Sequence, residues 1–232
     1  MGERNALAQL ILLAAAAVGP DPLPQRLCRA WAEGLETDAV GISLMTHTPY
    51  RQLLCASNAT ALRLEEIQFT VAQGPCVTAA ESGSPVLVED MARQVTSWPL
   101  FGAQLREELP DVRAIQAIPL RTGQGVLGCV DLARTGPGRL DREAVAEAVA
   151  AAEITAMALL SERHGLFTSL SGSGSGGFFD DLHWAATARA VGVLAAREHL
   201  STSDALAVMR ARAFGAGLTL VEITAEILAD PA

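Results

Sequence analysis

The chain has 232 residues, long enough for one substantial core plus a smaller satellite unit, since domains commonly run about 50–200 residues. Half of its residues are apolar and only 4% are aromatic, so the core must be built mainly from Ala, Leu, Val and Ile, and the composition excludes wholesale disorder. All seventeen basic residues are Arg; set against 26 acids they leave a formal charge of -9, which argues against a broad nucleic-acid footprint and leaves room only for a local basic face.

Residues 5–18 read as a helix ended by Gly19-Pro20. The apolar run 6–18 resembles a signal peptide, but it is too short to span a bilayer, and Gln9 interrupts it. A first helix packed on the core fits better. Pro22 and Pro24 open a second helix carrying Leu27, Cys28 and Trp31 inward. The period then changes: residues 39–45 and 51–57 read as strands joined by a Pro49-containing turn at 46–50. A short helix over 61–67 follows, then Phe69-Thr70-Val71 leads into the Gly74-Pro75 turn and a helix over 76–81. Residues 85–88 form a short strand and 98–108 a helix. The stretches 112–120 and 125–132, separated by Arg121-Thr122-Gly123-Gln124, carry a hairpin signal.

Residues 140–163 read as a long Ala-rich helix whose apolar surface is wider than one buried stripe needs. It can cover the sheet and also pair with a second copy, so a homodimer through the helices near 5–18 and 140–163 is expected. Ser169–Gly177 reads SLSGSGSGG, a flexible, wet linker. Beyond it lie three helical segments, near 180–198, 202–214 and 219–228. Ser201 with Asp204 and Thr219 with Glu222 offer N-terminal caps for the second and third. The organisation expected is therefore an α/β (α+β) domain over 1–165 with a central antiparallel sheet and flanking helices, a linker over 166–179, and a small all-α domain over 180–230.

Cys28, Cys55, Cys76 and Cys129 show no CxxC spacing and no clustered His, so they read as isolated thiols, with neither a metal site nor a disulfide framework implied. Cys76, after a Gly-Pro turn and at a helix start, is the one with a reactive reading. His47, Glu89, Asp90 and Asp131 are acid-base groups without a nucleophile-base-acid series. No P-loop, dinucleotide fingerprint or nucleophile elbow is present, so no enzyme activity and no cofactor are expected. Gly123, Gly125 and Gly128 fit a turn and close strand packing. His164, His183 and His199 flank the linker or helix ends, and Phe178, Phe179 and Trp184 form an aromatic patch suited to docking the first small-domain helix.

Two resemblances emerge. Residues 69–132 resemble a GAF sensory domain of actinobacterial regulators, through Phe69-Thr70-Val71-Ala72-Gln73-Gly74-Pro75-Cys76, Pro85-Val86-Leu87-Val88-Glu89-Asp90, Trp98-Pro99-Leu100-Phe101, Ala117-Ile118-Pro119-Leu120 and Gly128-Cys129-Val130-Asp131-Leu132. Family members usually carry Glu at the position of Gln73. Residues 183–228 resemble the ANTAR domain, a three-helix RNA-binding module, through Ala190-Val191-Gly192-Val193-Leu194, Ser201-Thr202-Ser203-Asp204-Ala205-Leu206, Met209-Arg210-Ala211-Arg212-Ala213-Phe214 and Leu220-Val221-Glu222-Ile223. Many members place Lys where this chain has Val191.

Together the resemblances imply a cytoplasmic transcription antitermination regulator: signal input, then binding of structured mRNA stem-loops, with no membrane partner and an unspecified small-molecule ligand. The expected RNA-binding residues are Arg189, Ala190, Gly192, Arg197, Arg210 and Arg212. Arg189 and Arg197 lie two helical turns apart, on one side of their helix. A ligand pocket, closed or small, is expected among Phe69, Cys76, Trp98, Phe101 and Cys129. The alternative is a protein-interaction or signalling module in which RNA binding is weak or lost, a reading the acidic small domain keeps open.

Overall fold

In the computed structural model, which describes residues 6–45, 51–94, 97–169 and 184–230, five apolar runs pair into one antiparallel sheet. The strands are β1 (Ala39–Met45), β2 (Arg51–Ala56), β3 (Val86–Val88), β4 (Ala114–Thr122) and β5 (Gly125–Arg134), in the order β2-β1-β5-β4-β3. The helices around them are α1 (Ala6–Ala16), α2 (Leu23–Gly34), α3 (Ala59–Val71), α4 (Pro75–Ser82), α5 (Pro99–Glu108) and α6 (Arg142–Ser169). Three more, α7 (Ala185–Glu198), α8 (Thr202–Ala216) and α9 (Leu220–Ala229), end the chain. The expected turn at 46–50 with His47, the Gly/Ser-rich stretch 170–177, and Phe178, Phe179 and His183 lie outside the described residues, as does the His164 side chain.

Strand alternation sends Val40, Ile42, Ile118, Leu120, Val130 and Leu132 to one face, where α1, α2 and α6 cover them with Leu7, Ile11, Leu27, Trp31 and the small Ala148, Ala151, Ala152 and Ala156. The terminal helices meet as expected: the Leu7 amide donates to Glu147 Oε1 at 2.8 Å. The Trp31 indole donates to Thr155 Oγ1 at 3.0 Å, which satisfies the polar edge of the largest buried side chain on this face. Over 142–161 α6 is long and apolar enough to cross a membrane by length and composition; here its alanines lie against the sheet.

A bulge in β2 sorts its side chains between the two faces. Ile42 pairs with Cys55 but Ser43 pairs with Leu53, so Leu54 is the extra residue. Arg51 and Leu53 therefore face α3, whereas Cys55 faces α2. There it forms a disulfide with Cys28, 27 residues away. This corrects the reading of four isolated thiols: the packing of α2 on β1 and β2 supplies a proximity that spacing along the chain does not show.

The segment read as a short helix over 61–67 is the longer α3. Asn58 caps it by accepting from the Ala61 amide at 2.9 Å, and it runs through Phe69 and Thr70 until Ala72 turns left-handed with φ 52°. The apolar lead-in to the Gly-Pro turn is thus the last turn of a buried helix. Helix α6 likewise continues through Ser169, past the boundary expected at 165.

In the C-terminal unit, Ser201 accepts from the Asp204 amide, and Thr219 with Glu222 makes the full reciprocal cap. Ala190, Val191, Leu194, Leu206, Met209, Ala213, Ile223 and Ile227 fill its interior. That interior is continuous with Leu53 and Phe69, so the three helices share a core with β2 and α3.

Candidate functional site

Under α3 and α4 the sheet face is not purely apolar. Ser43 of β1, Arg51 of β2, Glu65 and Gln68 of α3, Cys76 of α4, and Cys129 and Asp131 of β5 are all nearly or wholly buried together. Arg51 is the hub: its Nη2 donates to Ser43 Oγ at 2.8 Å, to Glu65 Oε2 at 2.5 Å and to Cys76 Sγ at 2.8 Å. Gln68 ties three elements together. Its Nε2 donates to Asp131 Oδ2 at 2.6 Å, and its Oε1 accepts from the Cys76 amide at 2.9 Å.

Backbone shape makes room for these groups. A Cβ on Gly41 would stand 2.6 Å from Glu65 Oε1, and one on Gly74, whose φ is 139°, would stand 2.5 Å from Gln68 Oε1. Gly128 lies so close to β1 that a Cβ would meet the Ser43 carbonyl at 2.1 Å, in keeping with the close-packing role expected of it.

Four acidic groups face one guanidinium, and the electrostatics follow. Burial pushes the Glu65 carboxyl well above its usual range, the Asp131 charge adds to this, and Arg51 only partly opposes it. Burial and then the charge of Cys76 push Asp131 up to about 8. Burial and Cys76 push the Cys129 thiol well up. For Cys76 burial also acts upward, but the hydrogen bond from Cys129 and the Arg51 charge outweigh it and hold the thiol below its ordinary value. Burial opposes the Arg51 charge, yet its acidic neighbours keep the guanidinium more firmly protonated than usual. Arg51 Nε and Nη1 and Glu65 Oε1 find no hydrogen-bond partner among the described residues.

Of the five expected pocket residues, only Cys76 and Cys129 belong to this cluster. Phe101 packs with Trp98, edge to face at 6.3 Å, against Leu105 and Ile115. Phe69 turns toward the C-terminal helices and stacks on Trp184 at 4.3 Å. The five therefore sit in three packed groups. Gln73 accepts from the Leu100 amide and so links the Gly-Pro turn to the start of α5.

Sequence reading missed Arg51, Glu65, Gln68 and Ser43. The available signal was Arg51 at an inward position of β2, two residues from Leu53, and two polar residues one turn apart on α3 between the buried Leu64, Ile67 and Phe69.

The expected RNA-contacting residues separate. Arg189 and Gly192 line an open concavity of about 740 Å³ with Val193, Ala196 and Leu228. Arg197, on the same side of α7, pairs with Asp230 at 3.5 Å. Arg212 faces Glu198 at 3.8 Å. Arg210 is turned away, its Nε donating to the Phe69 carbonyl at 3.1 Å and its guanidinium lying 5.4 Å from the Phe69 ring centroid. Ala190 is fully buried and cannot touch a partner; Val191 beside it is also core. Arg197, Arg210 and Arg212 are thus each held by a different neighbour, while Arg189 faces the concavity.

Comparison with known families matches residues 21–160 to the GAF domain. The chain belongs to that family, and its N-terminal part is a sensory, signalling domain. Similar solved structures include the GAF domain of a phosphoenolpyruvate-protein phosphotransferase from Coxiella burnetii, 16% identical over 72% of this chain and 99% of that one, with a TM-score of 0.55. A domain of a putative two-component sensor histidine kinase from Sinorhizobium meliloti 1021 is 14% identical, covering 66% and 99%, with a TM-score of 0.52. The GAF domain of the cyanobacteriochrome TePixJ is 16% identical, covering 65% and 95%, with a TM-score of 0.51. At these identities the likeness is one of fold. No curated protein sequence matches the chain.

Proposed function

We propose that this protein is a signal-responsive transcription antiterminator, in which the GAF domain controls an ANTAR-like RNA-binding unit formed by α7, α8 and α9. The observation that carries this reading is the double duty of α3. Its Glu65 and Gln68 belong to the buried polar cluster. Phe69 and Thr70, in the next turn, touch the C-terminal unit through Trp184, Arg210 and the Leu220 amide, which donates to Thr70 Oγ1 at 3.4 Å. A change in the cluster that shifts α3 therefore reaches α8 and α9 directly, as coupling between two sites requires.

The RNA surface in this reading is the α7 side bearing Arg189, Gly192 and Arg197. Arg210, held on Phe69, becomes available only when the units part. Burial and then the Arg51 charge push the Arg210 guanidinium down to about 10, still charged at neutral pH. A second copy packs through the exposed Leu12 and Leu13 of α1 and Met157 of α6, apolar side chains on the same layer.

Salt-titrated binding of the full chain to paired stem-loops and to unstructured RNA tests the proposal. Binding to stem-loops should weaken with salt, and replacing both Arg189 and Arg197 by Ala should lower affinity and flatten the salt slope by about 1–2 contacts. Absence of binding at low salt, or an unchanged double variant, favours the protein-interaction reading. That reading draws on the ion-paired Arg197 and Arg212 and the buried Val191.

A further inference from the structure

We propose that Cys76, Cys129 and Asp131 form a site for one divalent cation of the Zn²⁺ type. The inference concerns the GAF domain alone and does not depend on what the C-terminal helices bind.

The donor atoms are already gathered. One sulfur from each cysteine and one Asp131 oxygen lie within 4.8 Å of one another, and Cys129 Sγ is 3.7 Å from Asp131 Oδ1. With metal–sulfur bonds of about 2.3 Å and metal–oxygen bonds of about 2.0–2.2 Å, donors around a tetrahedral ion stand about 3.5–3.8 Å apart. A contraction of about 1.0–1.3 Å for the widest pair, and almost none between Cys129 and Asp131, therefore converts the three donors into a coordination shell.

Charge points the same way. Fully ionised, Glu65, Cys76, Cys129 and Asp131 carry four negative charges against the single positive charge of Arg51, all sealed from water. Buried charges need partners, and a divalent cation supplies the one these groups would lack on ionising. Glu65 Oε1 shows where the deficit lies. It accepts from no donor among the described residues.

The surroundings also resemble the outer shell of a metal centre. Gln68 Nε2 occupies Asp131 Oδ2, which leaves Oδ1 directed at Cys129. Arg51 Nη2 donates to Cys76 Sγ, as groups that orient and polarise a thiolate ligand do. Two thiolates with a carboxylate suit Zn²⁺ better than Mg²⁺ or Ca²⁺, which take oxygen donors. Sequence spacing hides the site, because Cys76 comes from α4 and the other cysteine from β5. On binding, the protons of both thiols and of the Asp131 carboxyl leave to solvent and the ion takes their place, most readily as the chain folds.

The test is titration of the full, metal-stripped chain with Co²⁺ under anaerobic conditions in a phosphine reductant, followed by displacement with Zn²⁺. The expected result is one Co²⁺ per chain, with a thiolate-to-cobalt charge-transfer band that Zn²⁺ abolishes and a rise in thermal midpoint on loading. Cys129→Ser and Asp131→Asn should each weaken uptake by at least about tenfold, and Gln68→Ala by about 10–100-fold. The double variant C28S/C55S, which lacks the other cysteine pair, should keep the band. A C28S/C55S chain that folds, titrates two free thiols and takes up no Co²⁺ overturns the site, whatever the ligand variants do. So does uptake that survives unchanged in both Cys129→Ser and Asp131→Asn.

Discussion

The two faces of the sheet solve the same problem in opposite ways. Beneath α1, α2 and α6 the surface is filled with apolar side chains and closed by the Cys28–Cys55 disulfide. Beneath α3 and α4 it holds an arginine, two carboxylic acids, an amide and two free thiols, all equally dry. The first face gains free energy by burying hydrocarbon; the second spends part of that gain on desolvating charge, which a purely structural face would avoid. Buried charge is therefore the better pointer to function here than any cavity. The largest effect expected from breaking this contrast is at Arg51. Arg51→Met leaves Glu65 and Cys76 without their common donor and should cost about 3–5 kcal/mol, whereas Arg51→Met with Glu65→Leu should recover most of the loss. Leu27→Ala on the opposite face should cost about 2–5 kcal/mol with no partner able to restore it. Denaturant melts of the four proteins decide the matter: a single Arg51 variant within about 1 kcal/mol of wild type would mean the pair is worth no more than a surface ion pair.

Trp184→Ala sharpens the comparison from a different side. Its ring is 3% exposed and stacked on Phe69, at the seam where the C-terminal helices share the α3 core. Removal should cost about 3 kcal/mol and, because the seam itself is lost, split one thermal transition into two. A single cooperative transition in the variant would show that Arg210, Leu220 and the Leu53 contact hold the units together without the aromatic stack.

Legibility in the sequence followed the same division. The apolar face was readable, because strand and helix periods there report burial directly: the five strands, the α1–α6 pairing and the caps at Ser201 and Thr219 all lie where the pattern places them. The polar face was not. The opposite facing of Arg51 and Cys55 depends on the bulge at Leu54, and residues 51–56 alternate so regularly between buried and half-buried that nothing in their order betrays the extra residue. Glu65 and Gln68 look like solvated helix positions until α3 is seen with the sheet under one side and the C-terminal helices on the other. The arginines of the C-terminal unit were visible as residues but not as a surface, since Asp230, Glu198 and Phe69 each claim one.

Glycines offer a smaller, two-sided measurement. Gly41→Ala thrusts a methyl to 2.6 Å from Glu65 Oε1, an overpacking that should cost about 1–3 kcal/mol and disturb the cluster. Gly192→Ala, in the middle of α7 with nothing within 4 Å, should instead stabilise by about 0.5–1 kcal/mol through helix propensity. If Gly192 admits close approach of a partner, the same substitution weakens binding while raising the melting temperature, a combination that separates function from folding. Equal tolerance at both positions would show that the Glu65 carboxylate moves freely, contrary to a packed cluster.

The smallest effect expected is at the sheet edge, where Arg113 donates from Nε and Nη2 to the two oxygens of Asp90 at 3.0 and 2.8 Å. These bonds to Arg113 hold the Asp90 carboxyl below its ordinary 3.8, with the Ala92 amide and the charges of Arg113 and Arg93 acting in the same direction and modest desolvation against. A carboxyl lowered in the folded state prefers its ionised form there. Its contribution is therefore complete above the unfolded value and is lost as pH falls through the lower folded value. Asp90→Asn should remove that acid-side loss, lowering the melting temperature slightly at about pH 7 and narrowing the gap between variant and wild type at about pH 3. The pair is open to solvent at the edge, unlike Arg51 and Glu65, so its contribution should also shrink with added salt. Circular-dichroism melts at the two pH values and two salt concentrations supply the check. A gap that widens toward acid would mean Asp90 is protonated more readily in the folded chain than in the unfolded one, the reverse of what its bidentate contact with Arg113 demands.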